Sequence, residues 1–262
     1  MTDELHRSPA PAVATAARVL DALVARGGTV TLDELTLAVG EPRSSVHRVL
    51  RTLVSEHLVS RADPLPGYRL GSKLVEYSAA YLRDIDIINE FYVVATRVSS
   101  EINETMQLAM LEWPDAVFIA KVDSNRPVRL VTGVGKRVPA YASAVGKVLL
   151  AYSSPELVER YRQQGLRRLT EHTVTTIGAL RAELEVVHAR GYAQADQESA
   201  ANLCCLSAPV HQADGSVVAL SICVPVPAID PHYRGVLARQ VCATAAELSC
   251  RLGGQLALGR RE

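Results

Sequence analysis

The segment EPRSSVHRVLRTLVSEHLVSR, residues 41–61, divides its side chains into two sets that cannot share one environment. Wound as an α-helix at about 100° per residue, it gathers Val46, Val49, Leu50 and Leu53 within an arc of about 100°. Arg43, Ser44, His47, Arg48 and Arg51 fall in a separate arc about 140° wide, which contains no acid. Between residues 42 and 61 the charges are Arg43, Arg48, Arg51 and Arg61 against Glu56 alone. Such a helix buries one face and offers the other to water or to something negative.

The flanking sequence limits the choice. A helix is expected from Val13 to Ala25, with Val13, Ala16, Leu20, Leu23 and Val24 as its apolar stripe and Gly27-Gly28 ending it. A shorter helix starts at Leu32 behind Thr31 as N-cap and stops at Gly40. Pro42 sits where a first-turn proline belongs. LVSRADPLPGYRLG then reads as two short strands around a Pro/Gly turn, ending in Gly71. Helix, short helix, tight turn, helix and hairpin are the order of a winged helix-turn-helix, whose second paired helix enters the DNA major groove. The candidate DNA contacts are Arg43, Ser44, Ser45, His47, Arg48 and Arg51 on the helix, with Arg61 and Arg69 on the hairpin. Most charged helix faces are merely solvated. Here the missing acids, the proline lead-in and the hairpin that follows at once favour DNA.

Composition neither helps nor opposes this reading. The chain has 262 residues and a formal net charge of zero, so no global field draws it to nucleic acid. Residues 1–90 carry ten Lys/Arg against twelve Asp/Glu, and the basic character is confined to one element. Residues 1–12 are rich in Pro and Ala and read as a loose arm without a signal-peptide n-region. No run approaches eighteen apolar residues, so no membrane partner is expected. Five cysteines, all after residue 203, do not form a secreted disulfide pattern, and a cytoplasmic location is expected.

Residues 72–91 have helical apolar spacing (Leu74, Tyr77, Tyr81, Ile85, Ile88) and read as a linker helix. The pattern then becomes mixed. TMQLAMLEWPDAVFIAKVD reads as two strands joined near Pro114-Asp115, and VRLVTGVGKRVPAYAS as a strand with a loop. AVGKVLLAYS, SPELVERYRQQ and IGALRAELEVVHARGY are helical, LCCLSAPVHQADGSVVALSICVPV is a hairpin with its tip at Ala213-Asp214-Gly215, and a last helix ends at Gly253-Gly254. The expected class is α+β: a winged helix-turn-helix over 1–71, a linker helix over 72–91, and an α/β domain with an antiparallel sheet over 92–262.

Several stretches resemble the IclR-type bacterial transcriptional regulators: TAARVLDAL, TLDELTLAVGEPRSSVHRVLRTLVSEHLV and GYRLG in the first half, VPAYASAVGKVLLA and GYAQADQESAANLCCLSAPVHQADGSVVALSICVP in the second. Their order and spacing run almost end to end. The resemblance implies a GAF-like effector domain at the C-terminus, homodimers or homotetramers on palindromic operator DNA, and a small organic acid as effector, with catabolic operons as the regulated genes. It also implies that Ala144, Val145, Cys205, Ser221 and Cys223 border the effector, with an acid matched by Asp196 or, in an alternative alignment, its position taken by Ala195. Asn202 stands where the family often has glycine.

That site has its own physical logic. Strand alternation puts Ser221 with Cys223 on one face, and Cys205 with Ser207 on one face. Ser143 is placed as an N-cap, so the helix N-terminus running through Ala144, Val145 and Gly146 can receive a carboxylate. Small residues also serve simply to let a helix pack closely on a sheet. Three other functions compete. A cysteine-dependent enzyme would pair Cys204 or Cys205 with His211 or His188, but LCCLSAPV has the look of mid-strand core. A metal sensor would use the cysteines with His172 or His211, yet no CxxC or HxxxH spacing is present. A thiol sensor at Cys204-Cys205 lacks an adjacent Lys, Arg or His to lower a thiol pKa. No catalytic residue, metal or cofactor is therefore assigned.

Overall fold

The computed structural model describes residues 10–83, 86–126, 133–226 and 229–254. The chain forms two compact units, 1–85 and 86–262. In the first, α1 (Pro11–Arg26), α2 (Leu32–Val39) and α3 (Arg43–Ser55) precede a hairpin of β1 (Val59–Arg61) and β2 (Tyr68–Leu70), followed by α4 (Lys73–Arg83). The α2 start is a reciprocal capping box, in which Thr31 Oγ1 accepts from the Glu34 N–H and the Glu34 carboxylate accepts from the Thr31 N–H. Gly40, at φ +72°, turns the chain from α2 into the α3 lead-in. Val46, Val49, Leu50 and Leu53 are all buried, packed in one cluster with Val19 and Leu23 of α1 and Leu35 of α2.

The apolar stripe of α1 differs from expectation. Val13 and Val24 are 68% and 66% exposed, and the buried residues are Thr15, Val19 and Leu23. Thr15 can be buried because its hydroxyl donates to the Pro11 carbonyl at 2.9 Å. The helix is thereby rotated toward a residue that hydropathy alone scores as polar. At the wing, a Cβ on Gly71 would lie 2.0 Å from the His57 carbonyl oxygen, so only glycine fits between β2 and α4.

In the second unit, α5 (Asp86–Ile102) leads into an antiparallel sheet that has, among the described residues, six strands in the order β5-β4-β3-β8-β7-β6. These are β3 (Thr105–Glu112), β4 (Asp115–Val122), β5 (Arg137–Pro139), β6 (Ala193–Asp196), β7 (Leu203–His211) and β8 (Val217–Pro225). Between β5 and β6 run α6 (Ala144–Ala151), α7 (Pro155–Glu159), α8 (Tyr161–Gln164) and α9 (Ile177–Arg190). The last helix is α10 (Pro231–Arg251). α5 and α10 pack together against β3, β4, β7 and β8; α6 packs against the sheet and against α9. β8 is central, paired with β3 on one side and β7 on the other, so segments more than 100 residues apart meet at Gln107↔Ser221.

Helix forms across most of 72–91, but Ile87, Ile88 and Phe91 are buried in the second unit, which takes the end of that segment as its own. β6 was not foreseen, since four residues are too few to show alternation. The strand read in VRLV falls outside the described residues.

Candidate DNA-reading face and effector cavity

Opposite its buried stripe, α3 exposes Arg43, Ser44, His47, Arg48 and Arg51, while Ser45 is half-buried on the flank. His47, Arg48 and Arg51 line one shallow concavity with Thr52 and Ser55, two residues the sequence reading did not select. Arg43 and Arg61 meet in a second, beside Tyr68. The acid-free arc is not fully isolated: Arg43 Nε lies 2.8 Å from Asp33 Oδ1 of α2. Both partners are exposed, so this pair contributes little and can be exchanged for a phosphate. The two wing arginines part company. Arg69 pairs with Ser60 in the ladder and its Nε donates to Ser60 Oγ at 3.1 Å, whereas Arg61 pairs with Tyr68 and turns toward α3. Alternation along a strand makes that split unavoidable.

The second unit holds a cavity of about 280 Å³ between the start of α6 and the sheet. Ser143, Ala144 and Val145 line it from the helix, and Cys205, Ser221 and Cys223 from β7 and β8. Ser143 caps α6: its Oγ accepts from the Gly146 N–H at 3.2 Å and donates to the Pro139 carbonyl at 3.0 Å. The earlier N–H groups of the first turn have no acceptor within the helix. Gln107, buried in β3, and Phe118, Val138, Leu169 and Leu203 complete much of the wall, and among the described residues no Asp or Glu is part of it. Gln107 was legible in principle as the one amide in TMQLAML. Lys136 and Arg137 also line the cavity, but the Arg137 guanidinium is held by Asp115 Oδ2 at 3.1 Å and the Glu112 carbonyl at 2.8 Å.

Two expected members lie elsewhere. Asp196 pairs with Arg234 of α10, Oδ2 to Nη2 at 3.0 Å. Its neighbour Ala195 lines the cavity instead, because consecutive residues of β6 face opposite ways. Gly146 faces the turn before α6, where an added Cβ would lie 2.2 Å from Ala140 Cα. It seats the helix and does not line the cavity.

Behind the cavity, Lys147 is fully buried, with Nζ 2.5 and 2.6 Å from the Glu198 carboxylate oxygens and 2.5 Å from Glu183 Oε2. Burial raises the Glu198 carboxyl above its ordinary range, against the opposing pull of Lys147. The pair ties α6 to the loop that carries Ser199 and Ala200, also cavity residues. A lysine inside AVGKVLL was the signal for it. Cys204 is buried with its thiol pushed up to about 11, and His188 and His211 pack on Tyr152, at 5.1 and 5.4 Å between ring centroids.

Comparison with known proteins agrees with this architecture. The family model described as the C-terminal domain of the bacterial transcriptional regulator IclR matches residues 79–250, and that of the IclR helix-turn-helix domain matches residues 12–63. The HTH-type transcriptional regulator KdgR of Escherichia coli (strain K12) is 30% identical over 226 residues, covering 86% of each chain. The crystal structure of an IclR transcriptional regulator from Alicyclobacillus acidocaldarius superposes with a TM-score of 0.80 at 26% identity, covering 93% of this chain and 99% of that one. An IclR homolog from Microbacterium hydrocarbonoxydans, crystallised with 4-hydroxybenzoate, gives 0.78 at 25% identity, covering 92% and 98%. With both family models matched in order, and a helix-turn-helix followed by an α/β domain on an antiparallel sheet, the chain belongs to the IclR family of bacterial transcriptional regulators.

Proposed function

We propose that this regulator reads its operator through the exposed face of α3, with Arg48 and Arg51 at its centre and Arg61 supporting from the wing. The cavity at the start of α6 takes a small organic acid that alters operator binding. The observation that carries the acid assignment is the cavity wall itself: a helix N-terminus, hydroxyl and amide groups, apolar side chains and, among the described residues, no carboxylate. An anion is favoured there by the helix dipole and the unsatisfied N–H groups. The volume is at the small end of ligand sites, which suits one ring or a short chain. The 4-hydroxybenzoate complex of the Microbacterium hydrocarbonoxydans protein supports the same class. Such an acid fits control of a catabolic operon. The working form is a cytoplasmic homodimer or homotetramer, since paired heads match palindromic operators.

A thermal-shift screen of the full-length protein against benzoates, short 2-oxo acids and their amides tests this. A ligand of the native state at a hundred times its Kd adds about 2.7 kcal/mol. Acids should raise the melting temperature and the matching amides should not. Stabilisation by amides as strongly as by acids would overturn the anion assignment.

A further inference from the structure

Two thiols meet in the wall of the cavity. Cys205 of β7 and Cys223 of β8 are directly opposed in the ladder, and their sulfurs are 2.7 Å apart. That is well inside ordinary non-bonded contact for sulfur. Both are free and both line the cavity, so a small reagent entering it reaches them. Alternation sets the pair apart from Cys204, which turns to the other face of β7. Cys242 and Cys250 are on α10. Directly opposed residues in antiparallel strands have Cα atoms about 4.5–5.5 Å apart, inside the roughly 4.4–6.8 Å that a disulfide spans. Closing the bond therefore asks for side-chain rotation and no backbone movement. Cys223 Sγ also lies 3.4 Å from Ser221 Oγ and 3.4 Å from Gln107 Oε1, so a change at this sulfur is felt by the polar groups that face a ligand.

We propose that Cys205 and Cys223 are a reversible dithiol–disulfide site, oxidised by a peroxide, and that the disulfide form binds the acid effector more weakly. The second half rests on the reading of this cavity as the effector site. The chemistry balances. The Cys223 thiolate attacks one peroxide oxygen and the O–O bond breaks. The departing hydroxide takes up the proton the thiol lost, leaving a sulfenic acid and one water. The Cys205 sulfur then attacks the sulfenic sulfur, the S–O bond breaks, and its proton leaves with the hydroxyl as a second water. Two thiols lose two electrons and peroxide becomes two waters. Cys223 Sγ is the one of the two that also contacts Ser221 Oγ and Gln107 Oε1, and the hydrogen bond it shares with Cys205 lowers its thiol pKa, so Cys223 is the attacking partner. A small thiol reverses the bond by exchange. Oxidation removes both S–H donors from the wall and fixes two sulfurs that a ligand would otherwise move.

The test uses the full-length reduced protein treated with hydrogen peroxide, alkylated, digested and mapped by mass spectrometry. A peptide joining Cys205 to Cys223 should form, vanish on reduction with dithiothreitol, persist in Cys204→Ser and Cys250→Ser, and be absent from Cys223→Ser. If both thiols stay alkylatable while exposed Cys250 oxidises, or if Cys205 joins Cys204, the site is wrong. The acids that shift the reduced protein, with benzoate and 4-hydroxybenzoate as first probes, are then titrated against the oxidised form. Their apparent affinity should fall at least tenfold in the wild type, and peroxide should leave the affinity of Cys223→Ser unchanged. Equal affinity in both wild-type forms overturns the gating half. No response to any acid by the reduced protein refutes the effector reading and the gating with it, while the linked peptide decides the disulfide on its own.

Discussion

Arg48 and Arg51 are exposed on α3 and line one concavity with His47. Arg48→Ala or Arg51→Ala should weaken operator binding without unfolding the chain. An arginine that reads guanine should cost about 1–3 kcal/mol at one base position. One that holds only phosphate should weaken all sequences alike and flatten the salt dependence. Anisotropy titrations across operator variants separate the two, and unchanged affinity in both mutants would remove α3 from the interface. His211 gives a residue-scale test of the second unit. Burial holds its imidazole below the ordinary histidine value of about 6.5. Between that value and the depressed one, the unfolded chain binds a proton that the folded chain does not, so stability falls as pH drops through this window and levels off below it. The melting temperature of His211→Gln should fall less than that of the wild type between about pH 7.5 and 5; parallel curves would contradict it. At this scale the sequence was most informative where chemistry repeats. Arg48, Ser221 and Cys223 stand out by period, whereas the facing of Asp196 and Gly146 is decided by one register step or one close approach that leaves no periodic trace.

α3 and α6 carry the two proposed sites, and each depends on a small number of packing residues. Leu50 is fully buried in the first unit, and Leu50→Ala should destabilise that unit by about 2–5 kcal/mol. Ser44→Ala, on the exposed face, should leave folding nearly untouched and reduce DNA affinity. Hydrogen exchange of the full chain, followed over residues 10–83, checks both, and the reverse pattern would mean the helix is rotated. Gly146→Ala would push a methyl onto the Ala140 backbone. It should cost about 1–3 kcal/mol by overpacking and weaken acid binding by shifting the α6 N-terminus. The helices and long strands were legible because their periods extend over two or more turns or pleats. The rotation of α1 and the strand β6 were not, because a threonine bonded to its own main chain and a four-residue edge leave no periodic trace.

At the scale of the whole molecule, the proposed DNA-reading unit ends with α4 and the proposed acid-binding unit begins with α5. The change of pattern near residue 90 marks where mixed α/β begins, whereas the two compact units divide between residues 85 and 86, inside the segment read as a linker helix. The cavity wall was only partly visible, because Gln107 and Ser221 meet by a pairing that no local pattern encodes. An acid can move operator binding only by its differential affinity for the two states, and a tenfold change needs about 1.4 kcal/mol of coupling. The most direct measurement is operator affinity of the wild type and of Ser221→Leu, each with and without the acid that stabilises the wild type most. Wild-type affinity should change at least tenfold with the acid, and Ser221→Leu should bind operator as the wild type does without responding. A full response by a folded Ser221→Leu protein would contradict the placement of the effector in this cavity.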